Sequence, residues 1–563
     1  MEKLRVGFLV DDLKPNQQIV DLIDFVAKNE HFGEPLIITG YKPKNFENFL
    51  QRPVKEFYKS PLKFLDIVLT NALIKIIEKI ELRNVLKRFP RYQSNTPKNI
   101  LNAFNKIEVT GIWSMSDKSL AFNDEDVDLI SQQHLDCILQ CGSETLKGDI
   151  LNSSELGVIS FHLADGHKDR GGPFGFWEVF HREPSSGFLI ERLNHEPNKA
   201  EILFRGNLMT SNLWLANHAQ LIEKCNTFLM QFLLNLSINR KLPKSDGFRL
   251  YRNNESELYL CSVFFKYLVF IIIPKILNSF FSILFSPRET RYSVAYTYHQ
   301  NHTKLLSQYI EIPNPEGRFL ADPFVFAYNE SNYIFVEDFF YKDNKGRISV
   351  IKIDGDKNEF LDVIIEEDFH LSFPFVFKEN NEIFMIPESH ENLDIRLYKC
   401  LEFPYKWKLE KILMSDVSAA DTLVIKKEDT WFMLTNICSS KSIDHSELHI
   451  FYSDNLKSNA WKPIASNNPV IFDPLRGRNG GLFYHNEKIY RINQVHGQAH
   501  YGKSFNVNEI ILLSKNEYIE KEILKVNANY KKDIVATHHF SANEYISAID
   551  FTRYQRRKKA LKT

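Results

Sequence analysis

The sequence predicts a chain of two parts, an α/β domain with a mainly parallel sheet followed by an all-β five-bladed propeller. Three observations carry this. Short apolar runs alternate with helix-spaced stretches over roughly the first 205 residues. One strand–turn–strand pattern recurs five times between Asp322 and Asp550. The length, 563 residues, holds two to four domains at ~100–200 residues each.

In the first part, RVGFLV and EPLIITG are short apolar runs of the kind that form buried parallel strands. Ile19 to Val26 between them has helical spacing, and so has the stretch over residues 60–90. CILQCG and GVISFH read as later strands of the same sheet. Apolar content of 44%, charged content of 25% and a net charge of −1 are those of an ordinary globular chain. Nothing in this balance calls for a nucleic-acid partner. The six cysteines are sparse; Cys137 and Cys141 lie four apart with no second Cys/His pair nearby, so no metal site is predicted and a reducing compartment is. The opening apolar run is short and ends at Asp11-Asp12, which reads as a first strand and not as a signal peptide. The expected location is cytoplasmic, peripheral to the inner face of a membrane if the apolar run described next touches one.

Residues 208–242 have helical spacing. Leu258 to Phe285 then forms a long apolar run interrupted by Lys266, Pro274 and Lys275. It admits three readings: a buried interdomain helix pair, an interfacial membrane anchor, or a transmembrane span. A basic tail from Arg553 is usually only solvated; beside an apolar helix it could also sit on anionic lipid.

The repeated units are DPFVFAYNESNYIFVED, FPFVFKENNEIFMIPES, DTLVIKKEDTWFMLTN, NGGLFYHNEKIYRINQ and THHFSANEYISAID. Their second strands start at Tyr333, Ile383, Trp431, Ile489 and Tyr545, at offsets of 50, 48, 58 and 56 residues. A hairpin repeated near every fifty residues is the mark of propeller blades. Tyr292 to Thr297 is expected to close the last blade. The first strands begin at Asp322, Phe373, Asp421, Asn479 and His538, and the second strands end at Asp338, Glu388, Asn436, Gln494 and Asp550. Hairpin partners are antiparallel, so both sets meet at one rim. Clustered carboxylates at a pocket mouth are the equipment for work on glycosidic bonds.

This half resembles the propellers of the family-43 glycoside hydrolases, and more closely that of the glucosamine inositolphosphorylceramide transferase family. The resemblance rests on GRFLADPFVF, HLSFPFVF, MIPES, SAADTLV, FYSDNL, NPVIFDPLRGRNGGLF, YRINQ and YGKSFNVNEI. It implies a base at Asp322, a tuning carboxylate at Asp421 and an acid at Glu388. Independently of the resemblance, Asp338, Gln494 and His538 at the rim, with Arg476 and Arg478, are expected as substrate-binding groups for sugar hydroxyls or phosphate.

Residues 155–206 resemble the formyltransferase family, which implies a formyltransferase-like, Rossmann-type first domain. The order is Ser160-x-His162, Arg170-Gly171-Gly172, a helix over Phe174 to Phe180, then Ser186-Gly187. The family's chemistry implies 10-formyltetrahydrofolate as cofactor, with His162, Ser160 and Asn198 at the catalytic positions and Asp165 and Arg170 toward substrate. Ser160 replaces an Asn there and Asn198 an Asp. Losing such a carboxylate costs on the order of 10⁴ in turnover in a comparable triad.

The domains expected are 1–207, formyltransferase-like; 208–290, a helical linker holding the apolar segment 258–285; 291–552, the propeller; and 553–563, a basic tail. The function expected is a transferase of cell-surface glycan or glycolipid biosynthesis, with sugar bound or transferred on the propeller. Its partners would be a sugar nucleotide or glycan and a membrane surface or lipid-linked acceptor, with no nucleic acid. The alternatives are an amino-sugar N-formyltransferase with the propeller as binding module, and a non-catalytic glycan-binding protein.

Overall fold

The computed structural model describes residues 2–10, 16–39, 61–92, 100–114, 119–142, 144–165, 173–196, 199–250, 260–284, 288–298, 308–439, 445–465, 468–529 and 531–556. The chain divides into two compact units, Met1–Ser279 and Phe280–Thr563.

The first unit is built on one eight-stranded mixed sheet. Its strands are β1 (Val6–Leu9), β2 (Leu36–Thr39), β3 (Lys106–Glu108), β4 (Cys137–Gln140), β5 (Val158–His162), β6 (Ser185–Leu193), β7 (Lys199–Met209) and β8 (Phe248–Leu250). The spatial order is β8-β7-β6-β5-β4-β1-β2-β3. The five strands from β3 to β5 run parallel, and β6, β7 and β8 extend the sheet antiparallel. The parallel strands β1 and β4 are buried at every residue, as their uninterrupted apolar runs require. Helix α1 (Gln17–Lys28) starts where the Asn16 side chain accepts the Ile19 N–H at 3.0 Å, an N-cap worth about 1 kcal/mol. Helix α2 spans Pro61–Arg88 and α3 spans Trp214–Asn239. Phe228 of α3 stacks on Phe204 and tilts against Phe188, so the helix read from sequence as the start of a linker packs on the sheet of this unit.

The apolar run forms helix α4 (Leu260–Tyr267), a π-turn (Leu268–Ile272) and helix α5 (Ile273–Leu284). Pro274 offers no N–H to the preceding turn, and a widened turn just ahead of it carries the chain on without a break. Within Leu260–Phe281 an 18-residue window has a mean hydropathy of 2.1, and 22% of that window is buried. One face of the segment, with Val263, Phe264, Tyr267 and Ile272, packs into a core of the first unit.

The second unit is a ring of five sheets. Blade 1 comprises Arg318–Tyr328, Ser331–Phe340, Lys345–Asp354 and Lys357–Ile365; blade 2 starts at Ser372, blade 3 at Ala419 and blade 4 at Asn479. The inner strands of blades 1 to 4 touch in sequence, and Phe540–Ala542 of blade 5 touches both blade 4 and blade 1, closing the ring. Blade 5 is completed by a strand from earlier in the chain. Arg288–Tyr298 pairs antiparallel with Ile546–Arg556, Tyr292 opposite Thr552, as the sequence pattern anticipated. Side chains from blades 1 to 4, including Phe335, Phe384, Leu423 and Leu482, merge into one core.

Each inner strand bends at the same place. The ladder slips between Ala321 and Phe324, Ser372 and Phe375, and Ala420 and Leu423. The residues at the slip, Asp322, Phe373 and Asp421, have φ of 49°, 47° and 49°. Such left-handed backbone costs a non-glycine residue of order 1–2 kcal/mol, least for Asp and Asn. In blade 4 the equivalent slip falls at Gly480, where a Cβ would lie 2.4 Å from the His538 carbonyl oxygen. Only glycine fits that approach.

Candidate functional site

The bulges place a compact ionisable cluster within the propeller unit. Its carboxylates are Asp322, Glu337, Glu388, Asp421 and Asp550, all buried. Its cations are Arg478, His538 and His390.

On one side His538 lies between two aspartates. Its Nδ1 is 2.9 Å from Asp550 and its Nε2 3.2 Å from Asp322. Asp550 also accepts the backbone N–H groups of His538 and His539 at 3.1 and 3.0 Å. Burial alone would depress the imidazole, but the two carboxylates outweigh it and raise the His538 pKa to about 10. Asp550 is in turn held down by His538 against the cost of burial. The Asp322 carboxylate accepts the Phe373 N–H at 3.3 Å, which ties blade 1 to the strained residue of blade 2.

On the other side Arg478 serves two carboxylates. Its Nε donates to Asp421 at 2.6 Å, and its guanidinium is 3.7 Å from Glu388. Gln494 donates to the same Asp421 oxygen at 3.1 Å. Glu388 is paired with His390 at 2.7 Å and accepts the Asp421 N–H at 3.2 Å. Burial pushes both acids up, but His390 and Arg478 hold Glu388 well below its ordinary value. Asp421 stays well above its own, raised by burial and by the charge of Glu388.

Glu337 lacks a comparable cation. Its nearest charge partner is His370, at 3.4 Å. Burial, with Asp322 and Glu388 facing it, pushes its carboxyl far above the usual range. Two carboxyls pushed up beside one held down is the pattern that separates a proton donor from an ionised partner. Aromatic faces complete the site: the Arg478 guanidinium sits 4.8 Å from the centre of the Tyr501 ring, and His538 packs against Tyr501 and Tyr292.

Ligand atoms of Asp322, His538 and Asp550 lie within 4.8 Å of one another, close enough to hold a cation. Metal binding there needs a neutral imidazole, so a cation and the His538 proton compete for one place. Cysteine spacing, on which the sequence reading of metal sites rests, carries no signal for this oxygen-and-imidazole group.

The expected rim residues Asp322, Glu388, Asp421, Arg478, Gln494 and His538 are therefore brought together. Asp338 and Arg476 are not. Asp338 points to the other face of its strand, where it accepts from Arg318 and Ser349, each at 2.8 Å. Its neighbour Glu337 takes the place beside Asp322, because side chains alternate along a strand. Arg476 is half exposed and 4.0 Å from Glu520. Glu337, His390 and Tyr501 were not singled out from sequence; the alternation about Ala321–Glu337, matching Ser372–Glu388, was the available signal for the first.

In the first unit Ser160 and His162 stand at the end of β5, with the His162 ring edge-on to Phe174 at 5.5 Å. The Asp165 carbonyl accepts from Arg205 at 2.6 Å. Ser186 is a packing anchor, bonded to Thr210 and Asn217. Arg170 and Asn198 lie outside the described residues. At Asn198 the resemblance calls for a carboxylate and the sequence offers an amide, which cannot offset an imidazolium charge. The sequence thus keeps His162 of that chemistry, with Ser160 and Asn198 where the resemblance implies an amide and a carboxylate.

Residues 308–548 match the family model described as "Glucosamine inositolphosphorylceramide transferase 1, N-terminal". The chain is 35% identical over 253 residues to glucosamine inositolphosphorylceramide transferase 1 of Arabidopsis thaliana, covering 42% of this chain and 32% of that protein. The protein of the same name from Oryza sativa subsp. japonica is 34% identical over 209 residues, covering 36% and 28%. The chain thus spans about a third of the length of these relatives. Among solved structures, the catalytic domain of the Coprinopsis cinerea GH62 α-L-arabinofuranosidase has 10% identity and a TM-score of 0.32, covering 46% of this chain and 97% of that one. Phosphoribosylglycinamide formyltransferase from Anaplasma phagocytophilum has 10% identity and a TM-score of 0.28, covering 45% and 97%. At such scores neither likeness decides fold or chemistry. The propeller of this chain is similar in sequence to the N-terminal module of the glucosamine inositolphosphorylceramide transferases.

Proposed function

We propose that the propeller cluster is a carbohydrate site, and that the protein binds or transfers a sugar in the assembly of a surface glycan or glycolipid. The observation that carries this is the cluster of five buried carboxyls threaded by Arg478 and His538, within which Glu337 and Asp421 are pushed up and Glu388 is held down. Such a set can donate a proton to a leaving oxygen at Glu337 while Asp322 or Glu388 supports developing positive charge at a sugar carbon. Tyr501, partly exposed beside Arg478, would border a bound sugar. The sequence similarity to named glycolipid transferases over 308–548 supports the same substrate class.

The test is turnover of a panel of nucleotide sugars with glycolipid acceptors by the full chain. Asp322→Asn keeps the side-chain shape and is expected to lower turnover ~10²–10⁴-fold, with the melting temperature within a few degrees of wild type. An unfolded variant would make Asp322 structural. A wild type that binds glycans by calorimetry but turns over none of the panel would favour a non-catalytic glycan receptor. Binding of 10-formyltetrahydrofolate would revive formyl transfer in the first unit.

A further inference from the structure

Helices α2 and α4–α5 each have one face spent and one face open. On the spent face, Ile77 and Val85 of α2 and Val263, Phe264 and Tyr267 of α4 share a core with Phe176 and Trp214. The buried Glu81 carboxylate fastens the helices together, accepting from the Tyr267 hydroxyl at 2.7 Å and the Leu215 N–H at 2.8 Å. Lys275 adds a bond to the Asn212 carbonyl at 3.0 Å.

The open face is apolar. Along α2, Leu65, Leu69, Ile76 and Ile80 are 51%, 43%, 48% and 37% exposed, at spacings of 4, 7 and 4 that keep them on one stripe. Along the second helix, Phe265, Phe270, Ile276, Leu277 and Phe280 are 56%, 65%, 52%, 49% and 59% exposed. Soluble surfaces rarely carry so much large apolar area on adjoining helices. The same α2 also carries Lys75, Lys79, Arg83 and Lys87, every fourth residue and all exposed. An apolar stripe running into a basic one on the same helix complements an anionic interface: acyl chains for the first, lipid phosphates for the second.

We infer that α2 and α4–α5 together form a platform that docks shallowly into an anionic bilayer surface. A spanning arrangement does not fit the geometry. The helix is pinned to its own unit as far as Lys275. Only nine residues, 276 to 284, remain beyond that point, or roughly 14 Å of helix against a hydrocarbon core of about 30 Å. This inference stands independently of the sugar chemistry.

The test is flotation of the full chain with phosphatidylcholine vesicles, with and without phosphatidylglycerol. Wild type is expected to float with the anionic vesicles, and several-fold less as salt rises from about 0.1 M to 0.5 M. The variant Phe270→Glu/Ile276→Glu/Leu277→Glu, on the open face, is expected to stay at the bottom with its melting temperature preserved. Lys79→Glu/Arg83→Glu/Lys87→Glu is expected to lose the preference for anionic lipid. A wild type that never floats, or that self-associates through this face in a way the first variant abolishes, overturns the inference in favour of protein contact. Retention in membranes through an alkaline carbonate wash overturns it in favour of a true span.

Discussion

Glu337 and Asp338 are adjacent in sequence and sit in opposite surroundings. Glu337 faces Asp322 and Glu388 with its carboxyl pushed up, whereas Asp338 is locked to Arg318 and Ser349 inside the blade. Composition cannot tell two neighbouring acids apart; strand register does. Asp322 and Asp421 were legible because each opens a repeated strand, and the αL conformation they share is one that Asp tolerates. His538 was legible only as a position, since its state depends on two aspartates from distant parts of the chain, Asp322 and Asp550. That state has a measurable consequence. The folded pKa, about 10, lies above the ordinary 6.5, so the stabilisation is complete below about pH 6.5 and is lost as pH rises through 10. Denaturant midpoints measured at pH 6, 8 and 10 are expected to fall for wild type and to fall less for His538→Gln. Parallel slopes in the two proteins would mean that His538 is not held as an imidazolium.

At the scale of elements, the blade repeat was readable because each hairpin has the same apolar period and a polar turn. The closing strand was readable because one apolar segment, Tyr292 to Thr297, had no partner of its own nearby. The π-turn before Pro274 was not, because a sequence shows where a proline interrupts hydrogen bonding but not how the helix absorbs it. The Arg288–Tyr298 strand supplies the third strand of blade 5 and pairs along its whole length with Ile546–Arg556. A chain starting at Phe280 is therefore expected to give a cooperative melting transition, and one starting at residue 299 to be aggregated or molten, because Ile546–Arg556 of blade 5 is left as an unpaired edge. Circular dichroism and thermal melts decide this. Equal stability of the two fragments would show that the strand is dispensable.

For the molecule as a whole, sequence patterning revealed two kinds of architecture, and the structure gives each its own core. What patterning did not reveal is the division of labour. The second unit concentrates buried, mutually perturbed ionisable groups at one rim, while in the first the histidine carried by the formyltransferase resemblance stands beside Ser160 and the sequence has an amide where that chemistry needs a carboxylate. The docking surface proposed for α2 and α4–α5 would add a means of meeting lipid, as a glycolipid acceptor would require. The proposed sugar chemistry, unlike the docking surface, turns on Glu337 as the proton donor. The decisive comparison is Glu337→Gln against Asp338→Asn, each assayed for sugar-dependent turnover and for stability. Glutamine closely mimics a protonated glutamate, so Glu337→Gln is expected to keep its melting temperature and lose turnover ~10²–10⁴-fold. Asp338→Asn removes the charge from the bonds accepted from Arg318 and Ser349 and is expected to cost about 1 kcal/mol or more of stability while keeping most of its turnover. Full turnover in Glu337→Gln, or its loss in a stably folded Asp338→Asn, would contradict the assignment of the site.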